Sequence, residues 1–198
     1  MNIKCDYIFT NNIYWKKIFN NNKNIEIDIG CGNPIFLLRR AKNIPYQNFI
    51  GIENKIKHIN KVKKYIIYNN IKNIYFIHGN AHNIINVFFK YNSLQHISIN
   101  FPDPWWKKKH YTRKLINNIF AKIIVSKLKK GGTIFLQTDV YNFARKQINI
   151  LKSIPELKNI NKFSLLKSYN PLNELSYREI ICNKYKIPVY RILFQKKN

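Results

Sequence analysis

Asp103 stands between Pro102 and Pro104, Trp105 and Trp106 follow, and basic residues crowd the stretch to Lys114. Each proline fixes its own backbone angle and pushes the preceding residue into extended geometry, so a carboxylate held there has little freedom to drift. Such a group can orient a reactant and favour positive charge that develops on it. The adjoining Lys107, Lys108, Lys109, Arg113 and Lys114 suit phosphates. A second constellation lies earlier in the chain. Gly30 and Gly32 make a small turn in DIGCG, and Glu53 closes the apolar run QNFIGIE, where a carboxylate can accept both hydroxyls of a ribose. Each feature also has an ordinary reading: a stiffened loop with a capping aspartate, a tight turn, a solvated charge run.

The glycine turn is incomplete as a dinucleotide site. A third glycine would stand where Ile35 is, and no lysine followed by serine or threonine makes a phosphate loop. A glycine turn and a ribose acid without pyrophosphate machinery point to an adenosine that carries something other than a diphosphate. S-adenosylmethionine fits best.

Charge narrows the partner. Thirty-five Lys and Arg face nine Asp and Glu, a net charge of +26. A polyanion is the natural partner, nucleic acid above all. Ile, Asn, Lys and Tyr are abundant throughout, so local clustering of charge weighs more than its sum. The acids are Asp6, Glu26, Asp28, Glu53, Asp103, Asp139, Glu156, Glu174 and Glu179. No apolar run approaches the roughly eighteen residues of a membrane span, and the start lacks a signal peptide's apolar core and cleavage site. A cytoplasmic protein without a membrane partner is expected, with a monomer favoured. Three cysteines without a C-x-x-C pair and five histidines without ligand spacing indicate neither a disulfide framework nor a metal site.

The elements that must position these residues alternate. Ile25 to Ile29 reads as a buried strand, Pro34 opens a helix over IFLLRRAK, and QNFIGIE is a second strand ending at Glu53. Ile56, Ile59, Val62 and Ile66 recur at helical spacing, NIYFIHGNA is a third strand, HNIINVFFKY a helix, and HISIN a fourth strand. A helix from about Thr112 to Lys129 is closed by KKGG, a basic and glycine stop. TIFLQTD is a fifth strand and YNFARKQINILKS a helix. Alternation of this kind predicts a parallel sheet covered on both faces. Towards the end, KFSLLKSY and PVYRILFQKK read as strands flanking a short helix from Ser176.

Ligands of such sheets lie outside the carboxyl ends of the strands, and Asp28, Glu53, Asn80, Asp103 and Asp139 stand at those ends. With these residues in view, FPDPWWKKKHYTRK, together with DIGCG, GIE and TD, resembles the bacterial tRNA (guanine-N7)-methyltransferase family, which modifies a guanine of the tRNA variable loop. The similarity runs from WKKIF at Trp15 to the end of the chain. It includes Ser176, Glu179, Pro188, Tyr190 and Arg191, at the spacing of the family's Thr-x-x-Glu and terminal aromatic-Arg pattern.

The resemblance implies the Rossmann-like class I methyltransferase fold, a mostly parallel seven-stranded α/β sheet with helices on both faces, as one domain over 1–198 with 1–24 as a short lead-in. It implies S-adenosylmethionine lined by Asp28, Gly30, Gly32, Glu53, Asn80 and Asp103, with Asp103 the catalytic carboxylate. It implies tRNA as partner. Lys107, Asp139, Ser176, Tyr177, Arg178 and Glu179 would meet the substrate, and Lys109, His110, Tyr111, Thr112, Arg113 and Lys114 the RNA. Glu179 would accept N1–H and N2–H of guanine, unless Ser176-x-x-Glu179 is only a helix capping box. One tryptophan would pack and the other flank the base; Tyr190 and Arg191 would serve the fold. The family usually has glycine at the Pro34 and Lys186 positions, aspartate at Asn80, threonine at Ser176 and an aromatic at Arg178. Two rivals remain: another S-adenosylmethionine-dependent RNA methyltransferase, such as an adenine-N6 enzyme, and a tRNA-binding protein whose catalysis has decayed.

Overall fold

Ile25–Ile29 (β1) alternates isoleucine with Glu26 and Asp28, and all of it is buried. A strand buried in both phases needs cover on both faces, the setting of a parallel sheet. The computed structural model describes residues 15–104, 115–161 and 170–198, apart from the side chains of 61 and 63–65. The other strands are Asn48–Glu53 (β2), Ile74–His78 (β3), Leu94–Asn100 (β4), Leu128–Thr138 (β5), Leu157–Asn159 (β6) and Tyr190–Lys196 (β7). They form one seven-stranded sheet in the order β3-β2-β1-β4-β5-β7-β6. β1 to β5 pair in parallel, and β7 runs antiparallel to both its neighbours. The strand order reverses between β1 and β4, which opens a crevice at their carboxyl ends.

The helices sort by face. Ile35–Asn43 (α2) and Ile56–Tyr68 (α3) bury Phe36, Leu37, Ile59 and Val62 with Phe49 and Phe76 of the sheet. Ala81–Phe88 (α4), Asn118–Lys127 (α5) and Tyr141–Lys152 (α6) set Ile85, Phe120, Ile124 and Ile148 over Ile27, Ile50, Ile97 and Ile134. Phe49 and Ile50 are consecutive in β2 yet belong to opposite cores, as the strand period of two requires. Trp15–Phe19 (α1) joins the α4 side: the Trp15 ring stacks on Phe89 at 5.2 Å and its indole N–H donates to the Phe88 carbonyl at 3.0 Å. Tyr177–Lys184 (α7) leads into β7.

Three sequence expectations change. KKGG does not stop a helix. α5 ends at Lys127, and residues 129–132 form a bulge in β5, where the pairing jumps from Leu94↔Leu128 to His96↔Thr133. A Cβ at Gly132 would lie 2.9 Å from the Lys129 carbonyl, so only glycine fits the bend. The helix expected from Thr112 starts at Asn118 because the Asn117 side chain caps it, accepting from Phe120 N–H at 2.8 Å. The edge strand β6 was not expected, and KFSLLKSY falls outside the described residues. Among the described residues no helix is long and apolar enough to cross a membrane, and no three His, Cys, Asp or Glu side chains gather as a metal site.

Candidate active site

The turn after β1 presents bare backbone. Gly30 and Gly32 take φ of 70° and 51°, left-handed angles that glycine adopts without strain. Gly30 and Cys31 both donate to the Ile52 carbonyl, at 2.8 and 3.1 Å, which ties the turn to β2. A Cβ at Gly30 would meet nothing within 4 Å, so this backbone faces open space. Glu53, nearly buried, accepts from Gly32 N–H at Oε2 and from Lys55 N–H at Oε1, each at 2.8 Å. Its carboxylate is thus aimed along the turn, and each oxygen keeps a second lone pair.

Asp28 lies deeper in the same crevice. Its Oδ1 accepts from Asn100 Nδ2 at 3.0 Å and Ser98 Oγ at 3.2 Å, yet burial outweighs both and lifts its pKa from 3.8 to about 7. A carboxyl whose folded pKa is raised stabilises the fold fully below its unfolded pKa, and loses that contribution as pH rises through the folded value. The window therefore runs from about pH 4 to about pH 7. Asp28→Asn should flatten the fall in stability across it, by up to about 4 kcal/mol. Melting curves at several pH values compare the two proteins; parallel profiles would show that Asp28 titrates normally.

From Asp28 a largely buried chain of polar groups crosses the α2 face of the sheet. Asn100 turns its nitrogen to Asp28, so its oxygen faces Gln137 Nε2 at 2.7 Å. Gln137 Nε2 also lies 3.1 Å from Glu179 Oε2 and 3.3 Å from Ser176 Oγ. Glu179 is 0% exposed. Its carboxylate receives Arg191 Nη2 at 2.5 Å, Asn170 Nδ2 at 3.1 Å and the Ser176 N–H at 3.3 Å. Ser176 caps α7 in return, which completes the capping box. The described structure thus shows the capping-box arrangement of Ser176-x-x-Glu179, with Arg191, Asn170 and Gln137 as further donors to the carboxylate. The segment before α7 rests on α2, where Arg40 pairs with buried Glu26 at 2.5 and 2.7 Å and also donates to the Leu172 carbonyl at 3.0 Å. Asn43 reaches Glu174 at 2.5 Å.

The rim holds the remaining candidates. Phe101, just past β4, takes a φ of 48°, and its N–H donates to the Gln137 carbonyl at 2.8 Å. A bulky residue in the left-handed region costs about 1–3 kcal/mol and persists where the surroundings over-determine it. Here it turns the chain out of the sheet and leaves Asp103 exposed between its prolines. Asn80 is exposed and caps α4, accepting from His82 N–H at 2.8 Å. Asp139 sits at the end of β5 and accepts from Arg178 Nη2 at 2.5 Å and Nε at 3.2 Å; Tyr177 beside it is exposed. Lys107, Lys109, His110, Tyr111, Thr112, Arg113 and Lys114, with Trp105 and Trp106, lie outside the described residues. The structure sets Asp28, Gly30, Gly32, Glu53 and Asp103 at adjacent strand ends, with Asn80 after β3 and Asp139 after β5 along the same edge. Ser98, Asn100 and Gln137 were missed. The signal was present, since all three are polar residues in one phase of otherwise apolar strands.

Residues 22–192 match the family described as "Putative methyltransferase". The tRNA (guanine-N(7)-)-methyltransferase of Prochlorococcus marinus strain MIT 9215 is 37% identical over 171 residues, which span 83% of this chain and 82% of that protein. The chain belongs to the tRNA (guanine-N7)-methyltransferase family. Another family member, from Buchnera aphidicola subsp. Baizongia pistaciae, is 29% identical over 202 residues, covering 100% of this chain and 81% of its own. Among solved structures, the 16S rRNA methyltransferase KamB superposes with a TM-score of 0.66 at 8% identity over 93% of each chain. The aminoglycoside resistance methyltransferase NpmB1 gives 0.62 at 15% identity over 92% of this chain and 91% of that one. These likenesses concern the fold, that of class I methyltransferases. Two departures from the usual pattern of tRNA (guanine-N7)-methyltransferases have a physical reading. Lys186, where glycine is usual, has a φ of 56° just after α7, with Ile187 N–H donating to the Cys182 carbonyl at 2.8 Å; this is the left-handed helix stop that favours glycine. Pro34 precedes the first turn of α2 with φ −82°, which proline tolerates.

Proposed function

We propose that this chain transfers a methyl group from S-adenosylmethionine to N7 of a guanine in the variable loop of tRNA. The observation that carries the reading is the juxtaposition, at the sheet's point of reversal, of an open glycine turn, the aimed carboxylate of Glu53 and the exposed Asp103. The residues fit a nucleoside cofactor: the turn leaves room for its backbone-side approach, Glu53 has lone pairs left for two ribose hydroxyls, and Asp28 supplies a carboxyl group deeper in the crevice. Asn80 would take the adenine amino group on the same oxygen that caps α4. When bound, the cofactor supplies a methyl group activated on a positively charged sulfur.

Guanine N7 has a lone pair and no proton, so no residue needs to act as a base before attack. The demand on the protein is alignment and a field that favours the methylated, cationic ring. Asp103 meets both, since the two prolines limit its motion and its charge opposes that of the product ring. Asp139, half-buried at the end of β5 and held by Arg178, is a second carboxylate for the substrate side. Incubating the pure protein with labelled cofactor and unmodified tRNA, then mapping the product, tests the reading. Label on an adenine, or none in tRNA, overturns it. Glu53→Ala should weaken cofactor binding about tenfold or more, the loss of a charge-assisted pair of hydrogen bonds, while tRNA affinity stays near wild type. Equal loss of both in titrations would point to misfolding instead.

A further inference from the structure

Beyond the crevice, just after Asp139 in the chain, the rings of Tyr141 and Tyr190 and the guanidinium of Arg145 form a row of contacts. Tyr190 opens β7 and pairs with Thr138 of β5, so the sheet fixes its backbone. Tyr141 is the first residue of α6, two positions after Asp139, and its ring sits 5.3 Å from that of Tyr190 at 54°. Arg145, one helical turn on and exposed, brings its guanidinium carbon to 5.9 Å from the centre of the Tyr141 ring. Tyr141 remains 47% exposed.

Single exposed tyrosines are common and by themselves mean little. This one differs in three ways. It is braced from behind by a second ring, so holding its orientation costs little further entropy. It carries a guanidinium over the same ring, and α6 has no acidic residue along its length. It flanks the strand end where the target base would lie. A base drawn out of its stack for chemistry leaves its neighbour without a partner for one face, and RNA-binding proteins meet such faces with aromatic rings and arginine planes.

We propose that Tyr141 is the stacking platform for an unpaired nucleotide adjoining the methylated guanine, with Arg145 on its phosphate. The partner is tRNA, so the inference rests on the function proposed above. Charge complementarity supports it, since a chain of net charge +26 meets a polyanion through an acid-free helix.

Binding of unmodified tRNA to the full chain, measured without turnover, separates the two ideas. Tyr141→Ala should weaken it about tenfold, in the range of one lost base stack, while Tyr141→Phe stays near wild type. Arg145→Gln should reduce the slope of log affinity against log salt by about one. Cofactor affinity should be unchanged in all three. Wild-type tRNA affinity in Tyr141→Ala overturns the platform and leaves the face to some other occupant, such as a second copy of the chain. If wild-type protein binds tRNA through Tyr141 yet transfers no methyl group, the activity falls and the platform stands; if wild type binds no tRNA, both fall.

Discussion

Glu179→Gln is expected to lower the melting temperature by about 10 °C, because breaking a buried ion pair costs about 3–5 kcal/mol. Glutamine keeps the shape of the side chain but replaces one acceptor by a donor. Arg191, Asn170, Gln137 and the Ser176 N–H all donate to the present carboxylate, so the new amide nitrogen meets a donor whichever way it turns. The Arg191 guanidinium, also buried, loses its opposite charge. Methyl transfer should fall in step with stability, since the cap of α7 and the segment packed on Arg40 loosen together. A variant that melts like wild type and has lost transfer would assign the carboxylate to reading guanine instead. Replacing both partners, Glu179→Leu with Arg191→Leu, should recover part of the stability, because no uncompensated charge is then left inside.

Asp103→Ala should reduce methyl transfer by about 100-fold or more, the usual scale for removing one group that stabilises charge in a transition state. The side chain is exposed and its loop is held by Pro102, Pro104 and the Phe101 N–H bond to β5, so the melting temperature should stay near wild type. Asp103→Asn separates two contributions. The amide keeps the size and some of the hydrogen bonding but not the charge, so a field effect predicts an asparagine variant nearly as slow as the alanine one. An asparagine variant near wild-type rate would make Asp103 a positioning group, and a fast alanine variant would remove it from the site.

Much of this was legible because the signals are local. The all-isoleucine phase of Ile25–Ile29, the helical spacing of Ile56, Ile59 and Val62, and the run before Glu53 each announce one element. Where an outcome depends on a distant partner, the sequence was ambiguous. Lys129 to Gly132 has the composition of a helix stop, and only the pairing of β5 with β4 makes it a bulge. Leu157–Asn159 has one apolar residue, and it is a strand only because β7 offers it an edge. Ser176-x-x-Glu179 is the signature of a cap and of a recognition pair alike; Arg191, which settles its surroundings, comes from another element. Gln137 reads as an interruption in an apolar strand, and its use as a bridge between Asn100 and Glu179 appears only when three elements meet.

The antiparallel strand has a consequence for how the protein is made. β7 is synthesised after every other strand, yet it lies inside the sheet, between β5 and β6. On the ribosome the first five strands can assemble in order as they emerge, but β6 has no neighbour to join until β7 arrives. Until then β5 presents an open edge of unpaired backbone groups, a template for pairing with other chains. Glu179, translated before Arg191, waits for its cation in the same interval. A partly made chain that already displays the glycine turn and Asp103 therefore lacks the finished α7 side of the crevice, and tRNA would meet a competent site only once the strand that closes the sheet has been inserted.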